Sequence, residues 1–420
     1  MLNGSDFLEQ SKNKIYSKVF QYDHRIGKNS FTRKRKLTFP TVFSMILKLV
    51  TKSLSIECEW LEPDPSRIAP SKQAFSKARY NIAHTGFQEL LDLSIDTLYR
   101  NPQAGTWRGY RVIAADGSSL RLPESKEIES EFGRFKCNGE AIKSKEPILG
   151  RVSLFVDLCS SLILSARLAS WGVGEQTLAE GQLPEVINKL RSLGQEQFLF
   201  VYDRGYPSYQ FIQQHNELKV DYIFRLQRGM YKKIWEKVDS GETDFIFELK
   251  NVTQKVRAVS IVLPSGEVEV LLTSLLDAEK FSLPDISKIY FLRWHIEECY
   301  KRLKISTEIE NFSGINLEAV LQEFWAHLVM CNTLALYMCD NQGFWNPDDI
   351  PEYRLNFSVL FGSMRELLQK VIVGKSSPKH FQKLFNRVAA RAKVKIRPGR
   401  LYSRHKVGKP SRRHVFRRTC

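Results

Sequence analysis

The chain lacks several signatures that would settle its chemistry early. Its seven cysteines (Cys58, Cys137, Cys159, Cys299, Cys331, Cys339, Cys420) stand far apart with no CxxC pair, which excludes a zinc ribbon and a thioredoxin-like redox motif. Most read as small core residues in a reducing compartment. The eight histidines form no HExxH pattern, and no Gly-rich Walker loop is present, so neither a zincin nor a nucleotide-driven motor is indicated. The first ten residues carry no apolar run of the kind a signal peptide needs. The most apolar stretch, Phe324 to Met338, falls short of the ~20 residues that span a bilayer and contains His327, Asn332 and Thr333. It reads as a buried helix in a soluble, cytoplasmic protein with no membrane partner. Internal repeats and low-complexity segments are also missing.

Acid is lacking in one place only: none follows Glu366. Of the 63 Lys and Arg, 17 lie between Lys370 and Arg418, and the rest of the chain carries 46 bases against 46 acids. A neutral body with a cationic tail points to a polyanion, most often nucleic acid. The composition, 43% hydrophobic and 26% charged over 420 residues, is that of an ordinary globular chain with room for two or three domains.

The first hundred residues follow a helical period, with Phe43, Ile46, Leu47 and Val50 recurring at helical spacing, as do Leu90, Leu91, Leu93 and Leu98. Between them Pro70 to Arg79, opened by Ser71, has a basic face; it reads either as a DNA-facing helix or as a solvated amphipathic one. The short basic run Arg33-Lys34-Arg35-Lys36 fits a nucleic-acid arm or plain solvation. From about 110 the period becomes that of strands: Arg111 to Ala115, Arg151 to Leu158, Leu162 to Leu168, Gln197 to Tyr202 and Asp221 to Leu226. Helices are expected at Leu178 to Leu193 and Ser208 to His215. Residues 230–275 read as a separate small β region, and helices resume at Pro284 to Ile305, Leu317 to Met338 and Phe357 to Val371. The order is that of a mixed α/β protein with an embedded β module.

Two of the strands end in aspartate, at Asp116-Gly117-Ser118 and Asp203-Arg204-Gly205. If those strands are parallel neighbours the two side chains sit side by side, where α/β sheets collect ligands; equally, both strings are ordinary turn chemistry. The helix from Pro284 adds a third acid. At about 100° per residue, Tyr290, Arg293, Glu297 and Lys304 share about 60° of arc, with Leu292, Ile296, Cys299 and Leu303 opposite. A solvated charged face is the other reading of that spacing. Three carboxylates converging from separate elements have one strong use, to hold two hard divalent cations against a phosphodiester. Uncompensated, they would raise one another's pKa. Arg293 and Lys304 would suit the flanking phosphate oxygens.

At these residues the sequence resembles the DDE transposases of bacterial insertion sequences, in the branch (insertion-sequence family four type) marked by Tyr, two residues, Arg, three residues, Glu, six residues, Lys. Here these are Tyr290, Arg293, Glu297 and Lys304, and the two Asp strings look like the other motifs of that branch. The resemblance covers about residues 30 to 340. It implies a ribonuclease-H-like mixed-sheet core with an inserted β-rich subdomain, plus a helical N-terminal DNA-binding region and a helical basic C-terminal region. The expected organisation is 1–105 N-terminal region, 106–228 first part of the core, 229–280 inserted subdomain, 281–340 last part of the core with the Glu helix, and 341–420 C-terminal region.

The resemblance further implies Asp116, Asp203 and Glu297 as catalytic metal ligands for two Mg²⁺ ions, with Mn²⁺ able to substitute. Tyr290, Arg293, Lys304, Trp294 and Arg204 would contact double-stranded DNA, Trp294 beside a displaced base. The implied activity is cleavage at the terminal inverted repeats of a mobile element, then joining of the 3′-hydroxyl ends to target DNA. It would be carried out by a homodimer in a synaptic complex, in a bacterial cytoplasm at the nucleoid. A plain metal-dependent nuclease, or a repurposed relative that only binds DNA, are the alternative readings.

Overall fold

The computed structural model describes residues 3–33, 35–48, 53–61, 66, 68–101, 104–135, 146–249 and 254–396. Val50, Cys137, Cys420, Lys34 and the basic residues after 396 lie outside them. Six helices open the chain: α1 (Asn3–Tyr16), α2 (Lys18–Asp23), α3 (Phe39–Leu47), α4 (Leu54–Glu59), α5 (Lys72–Arg79) and α6 (Thr85–Tyr99). The α/β part follows as β1 (Arg111–Arg121), α7 (Lys126–Phe132), β2 (Leu149–Asp157), β3 (Ile163–Ser170), α8 (Glu175–Ser192), β4 (Phe198–Tyr202), α9 (Tyr209–Glu217) and β5 (Asp221–Arg225). Then come α10 (Lys232–Asp239), β6 (Asp244–Leu249), β7 (Gln254–Val262) and β8 (Val268–Thr273). Helices α11 (Leu283–Leu292), α12 (Trp294–Lys301) and α13 (Leu317–Gln342) lead to β9 (Tyr353–Leu355), α14 (Phe357–Ile372), α15 (Pro378–Arg391) and β10 (Lys393–Lys395).

One eight-stranded mixed sheet, in the order β3-β2-β1-β4-β5-β8-β7-β6, organises the body. At its centre β4, Phe198-Leu199-Phe200-Val201-Tyr202, is buried along its whole length and runs parallel to both β1 and β5. An unbroken apolar run is what a strand covered on both faces requires. The β-rich stretch was expected as a separate region. Instead β8 pairs antiparallel with β5, Ile223 facing Thr273, so β6 to β8 continue the same sheet. Sequence alternation showed the strands; which edge they join depends on a long-range pairing that alternation does not encode.

Helix α13 is the pillar of the α-helical part. It is buried on every side from Ala319 to Cys339 apart from Leu321, so its sequence is apolar all round rather than striped. This is the stretch whose length argued against a bilayer span, and no helix among the described residues is long and apolar enough to cross a membrane. Near its C-terminal end Asp340 accepts hydrogen bonds from the backbone N–H of Asn3 (2.9 Å) and Gly4 (2.8 Å), capping α1 from a distance. Gly4 packs so closely on the Tyr337 ring that a Cβ there would lie 2.5 Å from it.

Helix α5 starts as expected, with Ser71 accepting from Ala74 N–H at 3.2 Å. Its basic face is divided, however. Lys72 and Lys77 are exposed, whereas Arg79 is buried against α13, where it donates to Gln322, Glu323 and the Ala319 carbonyl. Arg79 is therefore a structural bolt between the N-terminal helices and the pillar, and the reading of the whole basic face as DNA-facing is corrected at that residue. The five described cysteines are buried free thiols, in keeping with core roles.

Candidate active site

Strand β1 was expected to stop at Ala115. It runs on to Arg121, because its pairing with β2 continues through Asp116↔Leu154 to Arg121↔Leu149. Its parallel pairing with β4 ends at Ala115↔Tyr202. Asp116 on β1 and Asp203, just past the end of β4, are therefore the next residues beyond the last shared pair, close enough for the Asp203 charge to act on Asp116. The two acids are neighbours as the strand-end reading required, but Asp116-Gly117-Ser118 is strand, not turn.

Asp116 is half-buried, and its Oδ1 accepts from Gly117 N–H at 2.8 Å. Burial pushes its carboxyl up to about 7, and the charges of Glu175 and Asp203 add to the rise; the Gly117 N–H and the Arg293 guanidinium oppose it. Glu175, in the first turn of α8, lies directly over Gly117. A Cβ on that glycine would collide with the Glu175 side chain, which is itself ion-paired to Arg151. Glycine is thus the residue that lets this fourth acid approach the strand.

The helix carrying the third acid differs from the expected single span. A capping box between Ser282 and Asp285, with Pro284 in the first turn, starts α11. At Arg293 the hydrogen bonding tightens, Arg293 N–H donating to Tyr290 O and Ile296 N–H to Arg293 O, and α12 follows directly. After α12, residues Arg302–Ser306 form a π-helical turn closed by Thr307 N–H on Arg302 O. The apolar side was placed correctly: Leu292, Ile296, Cys299 and Leu303 are all buried. The polar side is not a displayed face, because Tyr290 and Arg293 are buried too, at 5% and 2% exposure.

Their burial turns them toward the acids. Tyr290 Oη donates to Asp203 Oδ1 at 3.3 Å, and Arg293 Nη2 bonds Glu297 Oε1 at 3.1 Å. Burial alone would lower the pKa of the Arg293 guanidinium; the Tyr290 phenol and the charges of Asp203, Asp116 and Glu297 instead hold it above its ordinary value. One cation therefore senses all three acids. Its Nε and Nη1 are buried with no hydrogen-bond partner, as is the Tyr206 hydroxyl. Tyr206 also feels the charges of Asp116, Glu175 and Asp203. Lys304 Nζ donates to Ser118 Oγ at 2.8 Å, which sets it two residues from Asp116 on β1. Trp294 is 38% exposed beside Arg293, whose Cζ lies 5.3 Å from its ring centre. Arg204 is exposed.

Periodicity gave no hint of Glu175, of Arg225 or of Tyr300. Arg225 at the end of β5 pairs with Glu269 (2.9 Å) and Glu267 (3.2 Å) and reaches within 3.9 Å of Asp203. Tyr300 donates to the Asp116 carbonyl at 2.8 Å and so pins α12 to β1. Only Tyr300 had a signal available, since it lies three residues after Glu297 and so on the adjoining turn of the same helix. Among the described residues no three carboxylate, histidine or cysteine side chains are grouped closely enough to hold an ion unaided. The donor set nevertheless fits a hard divalent cation: two carboxylates on adjacent strands, one of them with a raised pKa, and no soft ligand beside them.

A family model described as Transposase DDE domain matches residues 107–333, more than half of the chain and the stretch that carries all three acids. The transposase InsG for insertion sequence element IS4 of Escherichia coli (strain K12) is 24% identical over 324 residues, covering 72% of this chain and 68% of that protein. A cryo-EM structure of a piggyBac transposase synaptic complex with hairpin DNA superposes with a TM-score of 0.52 at 10% identity, covering 91% of this chain and 85% of that one; at this identity the likeness speaks for the fold alone. The mixed sheet is accordingly the ribonuclease-H-like core that the sequence implied. The chain belongs to the Transposase DDE domain family, and it is a DNA transposase of the DDE type.

Proposed function

We propose that this transposase uses Asp116, Asp203 and Glu297 as the ligands of two Mg²⁺ ions to cut the ends of an insertion element and join their 3′-hydroxyls to target DNA. The observation that carries the reading is the Arg293 guanidinium, buried among the three acids with two N–H groups unused. A phosphate oxygen fits those donors, and divalent cations fit the acids around them. When bound, such ions would lower the cost of gathering negative charge at the phosphodiester.

The chain's own residues have definite parts in this scheme. Tyr300 and the β1–β4 ladder fix where Asp116 and Asp203 stand, and Tyr290 orients the Asp203 carboxylate. Arg293 holds Glu297 near the pair and would pass from carboxylate to phosphate as DNA enters. Lys304, Arg204 and the exposed edge of Trp294 line up as contacts to the backbone and to a base beside the cut. The helical N-terminal region would recognise terminal repeats. Two copies would hold two ends in a synaptic homodimer, within the bacterial cytoplasm.

Cleavage of an end-labelled duplex tests the assignment. Asp116→Asn, Asp203→Asn and Glu297→Gln should each lower cutting by more than about 100-fold, beyond what loss of a supporting contact costs a metal site. DNA affinity should stay the same or rise. A near wild-type cutting rate in any one of them refutes the site.

A further inference from the structure

The C-terminal helix α15 carries a feature that the chemistry at the acids does not use. It begins at Ser377, which accepts from His380 N–H at 3.1 Å, with Pro378 in its first turn. Its inner face is fixed: Phe381 and Phe385 are buried, with ring centres 4.8 and 5.0 Å from Tyr337 on α13. That packing sets the rotation of the helix and leaves Lys379, Lys383, Arg387 and Arg391 on the outside, all exposed. They recur every fourth residue, so at about 1.5 Å per residue they form a line about 18 Å long.

A helix that merely faces water alternates acids and bases at this spacing, because like charges four residues apart oppose the helix. Here no acid follows Glu366, and among the described residues none of the four cations has a carboxylate partner. At the end of the line Arg387 and Arg391 meet Lys393 of β10 around a groove of about 600 Å³, whose other wall includes Asn356 and Val359. A concave site of that size takes a sugar-phosphate unit with ease.

We propose that the outer face of α15, with this groove, seats the phosphate backbone of duplex DNA outside the catalytic centre. The choice of DNA among polyanions rests on the transposase reading. A second copy of the chain is disfavoured as the occupant, since a two-fold contact would set this cationic face against itself. A lipid surface is disfavoured because the apolar side of the helix is already buried against α13. The seat would hold DNA without reading sequence, as a line of point charges on a smooth face does.

The test is fluorescence anisotropy of the full chain on a duplex of arbitrary sequence, with EDTA present so that cleavage plays no part, over a series of salt concentrations. The variant Lys379→Gln, Lys383→Gln, Arg387→Gln, Arg391→Gln keeps helix-forming residues throughout. It should lower the slope of log affinity against log salt by about 3–4, close to 0.9 for each phosphate no longer neutralised. The circular dichroism spectrum and melting profile should stay as in the wild type, and Arg387→Lys with Arg391→Lys should keep the wild-type slope. A slope within about 1 of the wild type, in a folded quadruple variant, overturns the proposal. Asp116→Asn separates the two readings. If it abolishes cleavage while the quadruple variant leaves the slope unchanged, the catalytic reading stands and the α15 seat falls. If it cleaves normally while the quadruple variant flattens the slope, the seat stands and the acid assignment falls.

Discussion

Arg79 offers the sharpest test of how the N-terminal helices are joined to the rest. Its guanidinium donates to Gln322 Oε1 (3.1 Å), Ser313 Oγ (2.9 Å), Glu323 Oε1 (2.9 Å) and the Ala319 carbonyl (3.1 Å), and Arg79 and its one charged partner, Glu323, are both buried. Removing one member of a buried ion pair costs about 3–5 kcal/mol, most of it from the charge left behind. In Arg79→Met, Glu323 would still accept from Ser313 N–H (2.7 Å) and Gly314 N–H (3.2 Å). Those donors soften the loss toward the lower end, about 3 kcal/mol, while Gln322 and Ala319 lose a donor each. At roughly 2 °C per kcal/mol for a large domain, melting should fall by about 6 °C. The paired variant Arg79→Met, Glu323→Leu should recover most of that, because no charge is stranded. Urea unfolding of the two variants and the wild type measures both effects. A loss under about 1 kcal/mol for Arg79→Met, or a paired variant no better than the single one, would refute the reasoning.

Two further predictions follow from close packing. His215 is fully buried, its Nδ1–H donating to the Phe211 carbonyl (2.7 Å) while Nε2 accepts from the Tyr202 hydroxyl (2.9 Å), and burial lowers its pKa to about 4. The unfolded chain therefore takes up the proton first, and stability should fall by about 3 kcal/mol as pH drops from about 6.5 to 4. His215→Gln should remove that component; acid unfolding curves that stay parallel for variant and wild type over this range would contradict it. Gly117→Ala places a methyl group on the Glu175 side chain and should cost about 1–3 kcal/mol by overpacking. Adding Glu175→Ala should restore stability, and a double-mutant cycle in chemical denaturation shows whether the two positions are coupled.

How much was readable from the sequence varied with how local the signal was. The strand at Phe198 to Tyr202 and the long buried helix around Phe324 to Met338 were plain, since an unbroken apolar run leaves little choice of environment. The cap at Ser71 was plain for the same reason: its bond partner lies three residues away. The far end of that helix was not, because Arg79 meets Glu323 across the fold and an arginine looks the same in the sequence whether it faces water or a buried acid. Extending one helical wheel from Tyr290 to Lys304 assumed an unbroken helix. The π-helical turn after Lys301 breaks the phase only for Lys304; Tyr290 and Arg293 do share a face, and they lie inside because that face is covered at the acids, where Tyr290 meets Asp203. Glu175 was invisible because its relation to Asp116 comes only from the way α8 lies on β1.

The strand register at the two aspartates limits how the protein can manage their repulsion. Backbone hydrogen bonds lock β1 and β4 through Ala115 and Tyr202, so the acids that follow cannot drift apart to relax. The remedy has to be delivered rather than found by yielding, and Arg293 delivers it from a segment that Tyr290 ties to Asp203 and Tyr300 ties to the Asp116 carbonyl. The two rungs thus act as a rigid jaw, and Arg293 as the tooth seated in it.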